Sequence, residues 1–494
     1  MLPSPRPKAP TPGTPLPPPD KLSLREKLCY GFGDLGSCLY WQTFTLYLTF
    51  FYTDVFGIGA AAAGTMIAVA RILDGFVDIG MGMIADRTQT RWGKFRPFLL
   101  WFCLPLAAMG VLTFTVPSLG ASGKLVWAYT TYNLLMFLYS SMDIPYTVLL
   151  GVLSSDPVER TTLSSIKLVG AYAGGVIISA TLLPMAKVGG WLGARTVERG
   201  WQLSFVIIGL AAIACYLTTF FNSRERIAPP RAQKTSVLRD LRDAAMNGPW
   251  LILMGLTITL AFVSALRGSV TAYYFKYYVG AQAATLPRIL FGPAGGTQVW
   301  SWESLASAFN TSTQVAAIVG VVLAPAFVRL AGRKAAFVSM YLVFIATTAL
   351  FYVIRPGQLG LIFGLNLLGS VTGGPIAAVL WAMFADSADY GEWKYGRRAT
   401  GLAFSANVFC DKQVWGIGSW MALTMMASVG FVPNTVQTAS SIHGLILLMS
   451  VLPAAFGIPS IILLLFYPLN ERRMAQVGAD LARRRAADAA PAGA

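Results

Sequence analysis

Residues 60–86 read AAAAGTMIAVARILDGFVDIGMGMIAD. The run is long enough to cross a bilayer, for which roughly 20 apolar residues suffice. Yet Arg71, Asp74 and Asp78 interrupt it, and an ionisable group at mid-bilayer costs about 2.5–3.5 kcal/mol on insertion scales. At 3.6 residues per turn the three fall within about 60° of one another. One helical stripe therefore presents a cation and two carboxylates. Two carboxylates one turn apart repel unless something positive sits between them: a proton, a metal cation or Arg71 itself. Such a stripe suits a coupling-ion site; the alternative is an ion-pair network that only holds helices together.

The rest of the chain has the same character. Of 494 residues, 55% are hydrophobic and 12% charged, about half the charged fraction of an ordinary soluble domain. Mean hydropathy is +0.59. These values exclude a disordered or fibrous chain and argue against a soluble enzyme. The net charge of +16 comes from basic residues that punctuate apolar runs, which points to membrane orientation and not to nucleic acid. The five cysteines, Cys29, Cys38, Cys103, Cys215 and Cys410, lie in or beside apolar runs without metal-ligand spacing, so they read as packing residues. With one histidine, His443, and no catalytic constellation, an enzyme is not expected.

Twelve apolar segments are expected at 29–53, 60–85, 97–117, 124–152, 164–186, 202–221, 249–279, 304–330, 334–354, 359–385, 399–428 and 441–468. Their length and continuity specify helices and not barrel strands. With the N-terminus inside, the inner segments hold 27 Lys and Arg, the outer segments six, and five fall within spans. That asymmetry places both termini in the cytoplasm. The longest polar inner segment, 223–247, divides the chain into six and six. The expected organisation is a Pro-rich disordered tail at 1–28, a six-helix bundle at 29–222, a cytoplasmic loop at 223–247, a second bundle at 248–470 and a cytoplasmic tail at 471–494. This all-α layout of two six-helix bundles is that of the major facilitator fold.

Other polar residues within the spans extend the candidate site. The fourth span carries Tyr139, Ser140, Asp143, Pro145 and Tyr146. Hydroxyls, a carboxylate and aromatic faces together suit a polyol, and the alternative is a proline-kinked helix with a hydrogen-bonded Asp143. Lys412 in span eleven needs a carboxylate, which Asp74, Asp78 or Asp143 could supply across the two halves as a gate. Arg267 in span seven is a further candidate gating charge. Asp34 near the inner end of span one is left open between a functional and a capping role.

The chain resembles the glycoside–pentoside–hexuronide:cation symporters, the melibiose-carrier-like family of the major facilitator superfamily. The resemblance rests on Tyr30-Gly31-Phe32-Gly33-Asp34, Tyr52-Thr53-Asp54, the run from Arg71 to Asp78, and Arg91-Trp92-Gly93-Lys94-Phe95-Arg96-Pro97. It continues through Asp143-Ile144-Pro145, Glu159-Arg160-Thr161, Tyr274 to Gly280, and Asp386 to Lys394. It implies cation-binding roles for Asp74, Asp78, Ser140 and Asp143. It implies substrate-binding roles for Asp143, Lys167 and Lys412, to which the polyol-like grouping in the fourth span adds Tyr139 and Tyr146. Gly82 to Arg87 resembles the inner-loop signature of the wider superfamily and adds Asp86 and Arg87 to the gating candidates Arg71, Arg267 and Lys412.

Three positions depart from the family pattern. Val77 replaces an asparagine that helps ligate sodium, and a hard cation wants several oxygens. A proton needs one carboxylate of suitable pKa, so H+ is expected in preference to Na+. Ser37-Cys38 stands in place of a lysine and a sugar-binding aspartate, and Thr147 in place of a stacking tryptophan. The expected function is thus uptake of a sugar or glycoside coupled to a monovalent cation, by a monomer in the inner membrane with no cofactor or nucleic-acid partner. The alternatives are cation-coupled transport of a non-sugar solute such as a lysolipid, and a non-transporting membrane sensor.

Overall fold

The computed structural model describes residues 22–154, 157–226, 246–284, 298–395, 400–469 and most of 473–483. Long helices follow one another: α1 (Leu24–Leu46), α2 (Ala60–Arg87), α3 (Arg96–Thr113), α4 (Ala121–Leu153), α5 (Pro157–Ala186) and α6 (Val197–Asn222). The second set is α7 (Gly248–Tyr273), α8 (Trp302–Ala331), α9 (Arg333–Leu350), α10 (Leu359–Tyr395), α11 (Thr400–Ser428) and α12 (Ala439–Met449, resuming at Val451–Leu465). Each overlaps one of the expected apolar segments, the largest differences being a start at Pro157 and not 164 and an end at Tyr395 and not 385. After α1 a short helical turn, Leu48–Phe50, leads into a π-helical turn at Phe51–Val55, and α7 runs directly into another at Tyr274–Val279. A two-stranded hairpin, β1 (Gln282–Ala284) against β2 (Gln298–Trp300), is the one departure from helix among the described elements.

Nine of these helices, α3 to α10 and α12, are long and apolar enough to cross a membrane. The other three carry charges along their length: Asp34 in α1, Arg71, Asp74 and Asp78 in α2, and Asp411 and Lys412 in α11. These three least apolar helices supply most of the candidate site.

Within the first half α1 packs on α5 and α6, and α3 on α4 and α6. Within the second, α8 packs on α10, α7 on α11 and α12, and α9 on α10. The halves meet where α2 lies against α11, α5 against α8, and α1 against α7. One apolar core runs from the first half into the second through Phe50, Tyr273, Phe275 and Phe309. At the end nearest the termini the second half keeps a core of its own, built on Trp250, Phe337, Phe384 and Leu464. The halves are thus sealed together by packing at one end of the molecule.

Three boundaries differ from expectation. Residues 1–21 lie outside the described residues, but the tail expected to reach 28 ends earlier, because α1 begins at Leu24. Ser23 Oγ accepts the Glu26 N–H at 3.2 Å, half of a Ser-x-x-Glu capping box that the apolar pattern does not register. The central loop expected at 223–247 opens as ordered chain, with 227–245 outside the described residues. The Glu225 carboxylate accepts the backbone N–H groups of Lys94, Phe95 and Arg96 at 2.8, 2.8 and 3.0 Å, where α3 offers its unpaired donors. Arg226 clasps Glu26 through both nitrogens, at 2.6 and 2.9 Å. The tail expected from 471 opens as a docked helical segment. Val477 and Leu481, one turn apart, are buried in the second-half core, and Trp393 Nε1 donates to Asp480 Oδ2 at 3.1 Å.

The motif Arg91 to Pro97 therefore has a structural meaning. Gly93 adopts φ +114°, and a Cβ there would lie 2.5 Å from the Glu225 carboxylate. Gly93→Ala combines a strained backbone with displacement of a charged cap. It is expected to destabilise the first half by about 1–3 kcal/mol, read as a lowered thermal midpoint of the purified protein; an unchanged midpoint would refute this role.

Candidate transport site

The α2–α11 seam holds the charged stripe. Asp74 is buried and accepts a hydrogen bond from Ser140 Oγ of α4 at 2.5 Å. Arg71 Nη1 stands 3.9 Å from Asp74 Oδ2, one turn away on the same helix. Asp78 Oδ2 accepts from Lys412 Nζ at 2.8 Å, and Lys412 is buried. The lysine expected to choose among three carboxylates thus pairs with Asp78, across the two halves. Gln413 Nε2 donates to the Arg71 carbonyl at 2.9 Å. The helices approach this closely because Gly416 lacks a side chain: a Cβ there would lie 2.4 Å from Arg71 Cγ. Asp74 Oδ2 and Asp78 Oδ1 are buried without hydrogen-bond partners. Two carboxylate oxygens without a hydrogen-bond donor on one stripe, with Ser140 beside them, can accept a proton or ligate a small cation.

A second cluster joins α1, α4 and α5. Lys167 Nζ lies 3.6 Å from Asp34 Oδ1 and 3.3 Å from Thr147 Oγ1, over the ring of Tyr146 at 5.2 Å. Tyr146 stacks on Tyr30 at 5.0 Å and donates to its carbonyl at 2.9 Å. Asp34, left open by the sequence, is therefore the counter-charge of Lys167. Asp143 is half-buried on the same helix as Tyr139 and Tyr146. Tyr139 packs against Trp41 at 6.2 Å and Phe44 at 6.0 Å.

Trp41 carries no signal in a reading centred on charge, yet it joins the two parts of the site. The Arg71 guanidinium lies over its ring at 4.8 Å, and the same indole lines a cavity of about 340 Å³ between the halves. That volume falls within the range of small-molecule sites. Gln42 and Gln314 hydrogen-bond across the halves at 3.2 Å, as do Asn310 and Tyr47 at 3.1 Å. Arg267, Asn366 and Trp415 complete the polar and aromatic lining. Arg267, expected in a charge pair, instead donates to Thr348 Oγ1 at 3.1 Å and lies over Phe351 at 5.1 Å; α9 offers it a hydroxyl in place of a carboxylate. Arg87 is exposed at the end of α2, and the Asp86 side chain lies outside the described residues.

The sealed end carries a network that sequence reasoning did not single out. Lys276 Nζ of the α7 π turn donates to Asp54 Oδ1 of the α1 π turn at 2.7 Å and to Asn434 Oδ1 at 2.6 Å. Thr53 donates to Asp54 Oδ2 at 2.7 Å, and Tyr277 OH also donates to Asp54. The Asn434 amide returns to the Asp54 carbonyl at 2.7 Å. Thr53 and Asp54 meet residues of both α7 and the α11–α12 loop, so this latch ties the halves together.

A ligand-sized cavity between two helical halves, bordered by buried ion pairs and closed at one end, is the arrangement of a membrane transporter. The comparisons agree. The family model described as "MFS/sugar transport protein" matches residues 29–292 and 296–471. The inner membrane symporter YicJ of Escherichia coli (strain K12) is 32% identical over 472 residues, covering 94% of this chain and 95% of that protein. The isoprimeverose transporter of Lactiplantibacillus pentosus is 34% identical over 450 residues, covering 90% and 89%. A bacterial homolog of the human lysosomal transporter Spinster shares the fold, with a TM-score of 0.61 at 15% identity over 90% of this chain and 95% of its own. The chain belongs to the MFS/sugar transport protein family. It is a multi-pass inner-membrane protein, and family membership makes it a transporter and not an enzyme.

Lys276→Met would strip the buried Asp54 of its cation, and breaking such a pair costs about 3–5 kcal/mol. The closed end should open more often. In a cysteine-free background, Thr45→Cys in the cavity wall should then react at least about tenfold faster with an impermeant maleimide added at that end, the equivalent of ~1.4 kcal/mol. Labelling at the parental rate would show that the latch does not hold the seal.

Proposed function

We propose that the protein is a secondary active symporter that couples uptake of a sugar or glycoside to a monovalent cation by alternating access. All twelve helices span the inner membrane, both termini are cytoplasmic, and the monomer is the working unit. The observation that carries this reading is the seam of Asp74, Asp78, Arg71 and Lys412, in which two buried carboxylate oxygens have no hydrogen-bond donor. Its charges belong to both halves, so protonation or cation binding alters the attraction between them. The printed names of the relatives, a symporter and an isoprimeverose transporter, support the same direction.

The coupling ion is a proton in preference to sodium. Lys412 already places a positive charge 2.8 Å from Asp78, where a bound sodium would otherwise do so. Val77 adds no oxygen to the stripe. Protonating Asp78 weakens its pull on Lys412 and loosens α2 from α11. The indole of Trp41, shared by Arg71 and the cavity, passes that change to the substrate. By linkage, a substrate that favours the loosened arrangement raises the proton affinity of the stripe by the same factor.

In proteoliposomes, an imposed inward proton gradient should drive accumulation of a transported sugar, and a sodium gradient should not. Asp78→Asn should abolish accumulation while leaving exchange across equal concentrations. Full accumulation by that variant, or dependence on sodium alone, would overturn the assignment.

A further inference from the structure

Within the spans, four carboxylates meet a cation. Asp34 lies 3.6 Å from Lys167, Asp54 2.7 Å from Lys276, Asp74 3.9 Å from Arg71 and Asp78 2.8 Å from Lys412. Asp143 and Asp411 form no ion pair and accept no hydrogen bond among the described residues. Asp143 belongs to the site already described; Asp411, on α11, stands outside it. The cations that act on Asp411 are Arg71 and Lys412. Arg71 stands against Asp74, and Lys412 is turned to Asp78, because adjacent helical residues point about 100° apart. Lys412 also feels Asp143 from α4. With Asp411 the α2–α11 seam thus holds three carboxylates to two cations.

Nothing else packed against α11 makes up the difference. Thr257 donates to Asn407 and Ser269 to Ser419, residues 150 apart in both pairs, so α7 and α11 run side by side in constant register. Asp411 is therefore level with Ala261, where residues 257–264 of α7 read Thr-Ile-Thr-Leu-Ala-Phe-Val-Ser without a charge. Arg267 stands six residues nearer the sealed end, about 9 Å along the axis, and is held to Thr348. Asp386 and Asp389 of α10 have interactions of their own, and α12 brings only His443, near its start. Trp415, one turn from Asp411 on the same face, lines the cavity together with Leu260 and Ser264 of α7. Asp411 is half-buried at the margin of that cavity. A carboxylate inside the membrane without a counter-ion takes a proton, because desolvation penalises only its charged form. Water entering the cavity removes that penalty.

We infer that Asp411 carries a proton of its own in the transport cycle, additional to that of the Asp74–Asp78 stripe. The proton is bound while the surroundings are dry and released when water enters past Trp415. On release the carboxyl O–H bond breaks, the proton passes to a cavity water and the carboxylate keeps the electron pair. It takes up another proton from the opposite side after the halves rock. The inference rests on the proton-symport reading and deepens it.

The test begins without substrate, on the purified full-length protein reconstituted in lipid. At neutral pH its infrared spectrum should contain the C=O stretch of a protonated carboxyl. One component of that band should be absent from Asp411→Asn and should return, shifted, in Asp411→Glu. Since no ion pair is broken, the thermal midpoint of Asp411→Asn should not fall. A band that is missing from the parental protein, or unchanged in Asp411→Asn, would overturn the inference. So would a lowered midpoint, which would make Asp411 a structural counter-ion. Sodium added at constant pH should leave the band in place. Its loss would set a metal ion where the proton stands and overturn the proton-symport reading itself.

The second arm measures uptake into proteoliposomes, with D-xylose, D-glucose, D-galactose and their methyl β-glycosides as probes. For an inward gradient of about one pH unit, removing one coupled proton lowers the accumulation ratio about tenfold. Asp411→Asn should show that loss for any probe the parental protein accumulates, while counterflow still occurs. Parental accumulation by Asp411→Asn would overturn the proton's part in the cycle. Uptake of none of the probes by the parental protein would count against the sugar reading alone, and the infrared result would then decide Asp411.

Discussion

A charge inside the lipid core must be cancelled close by, and the architecture follows from how each cancellation is arranged. Lys412 and Asp78 sit on opposite halves, as do Lys276 and Asp54. In both pairs, separating the halves would expose two uncompensated ions to a low dielectric, unless water or another ion reached them first. The pairs therefore make the interface strong when dry and weak when wetted or protonated. An apolar seam of similar area would hold the halves together without offering any means of release.

The two pairs are set in different surroundings. Asp54 is enclosed by Thr53, Tyr277, Asn434 and Lys276, with its hydrogen-bonding capacity largely used. Asp74 and Asp78 each retain an unused buried oxygen. The first site has most of its acceptors taken, whereas the second keeps two that no donor meets. Between them runs α1, which carries Trp41 against Arg71, lines the cavity through Gln42 and Thr45, and leads into the π turn that holds Asp54. A small rotation of this helix would be felt at the ion stripe, the ligand cavity and the latch together, because packed interiors move between discrete arrangements and do not deform continuously.

Much of this was legible in the sequence. Apolar runs of bilayer length located the helices, although α5 begins seven residues before the expected 164 and α10 runs ten past the expected 385, and the cost of ions in lipid drew attention to Asp74, Asp78 and Lys412, which the fold brings together with Ser140. The rest was hidden for identifiable reasons. The Asp34–Lys167 pair depends on the relative rotation of α1 and α5, which no periodicity specifies. Trp41, Gln42, Asn310 and Gln314 are residue types that membrane helices tolerate widely, so their convergence shows only in three dimensions. Asp54 and Lys276 lie at helix ends, where charges ordinarily face water. That Arg267 meets a hydroxyl and a ring, and no carboxylate among the described residues, depends on everything packed around it, and only the fold displays it.

The π turns that follow α1 and α7 have a further implication for how such a chain can vary. Each accommodates one more residue per turn than the helix before it. Deleting a single residue from Phe51–Val55 or Tyr274–Val279 would restore the ordinary register and swing every later side chain in that turn by roughly 100°. Asp54 and Lys276 would then no longer face one another. Segments bordering loops usually absorb insertions and deletions with ease; these two, though they border loops, are bound to a fixed residue count.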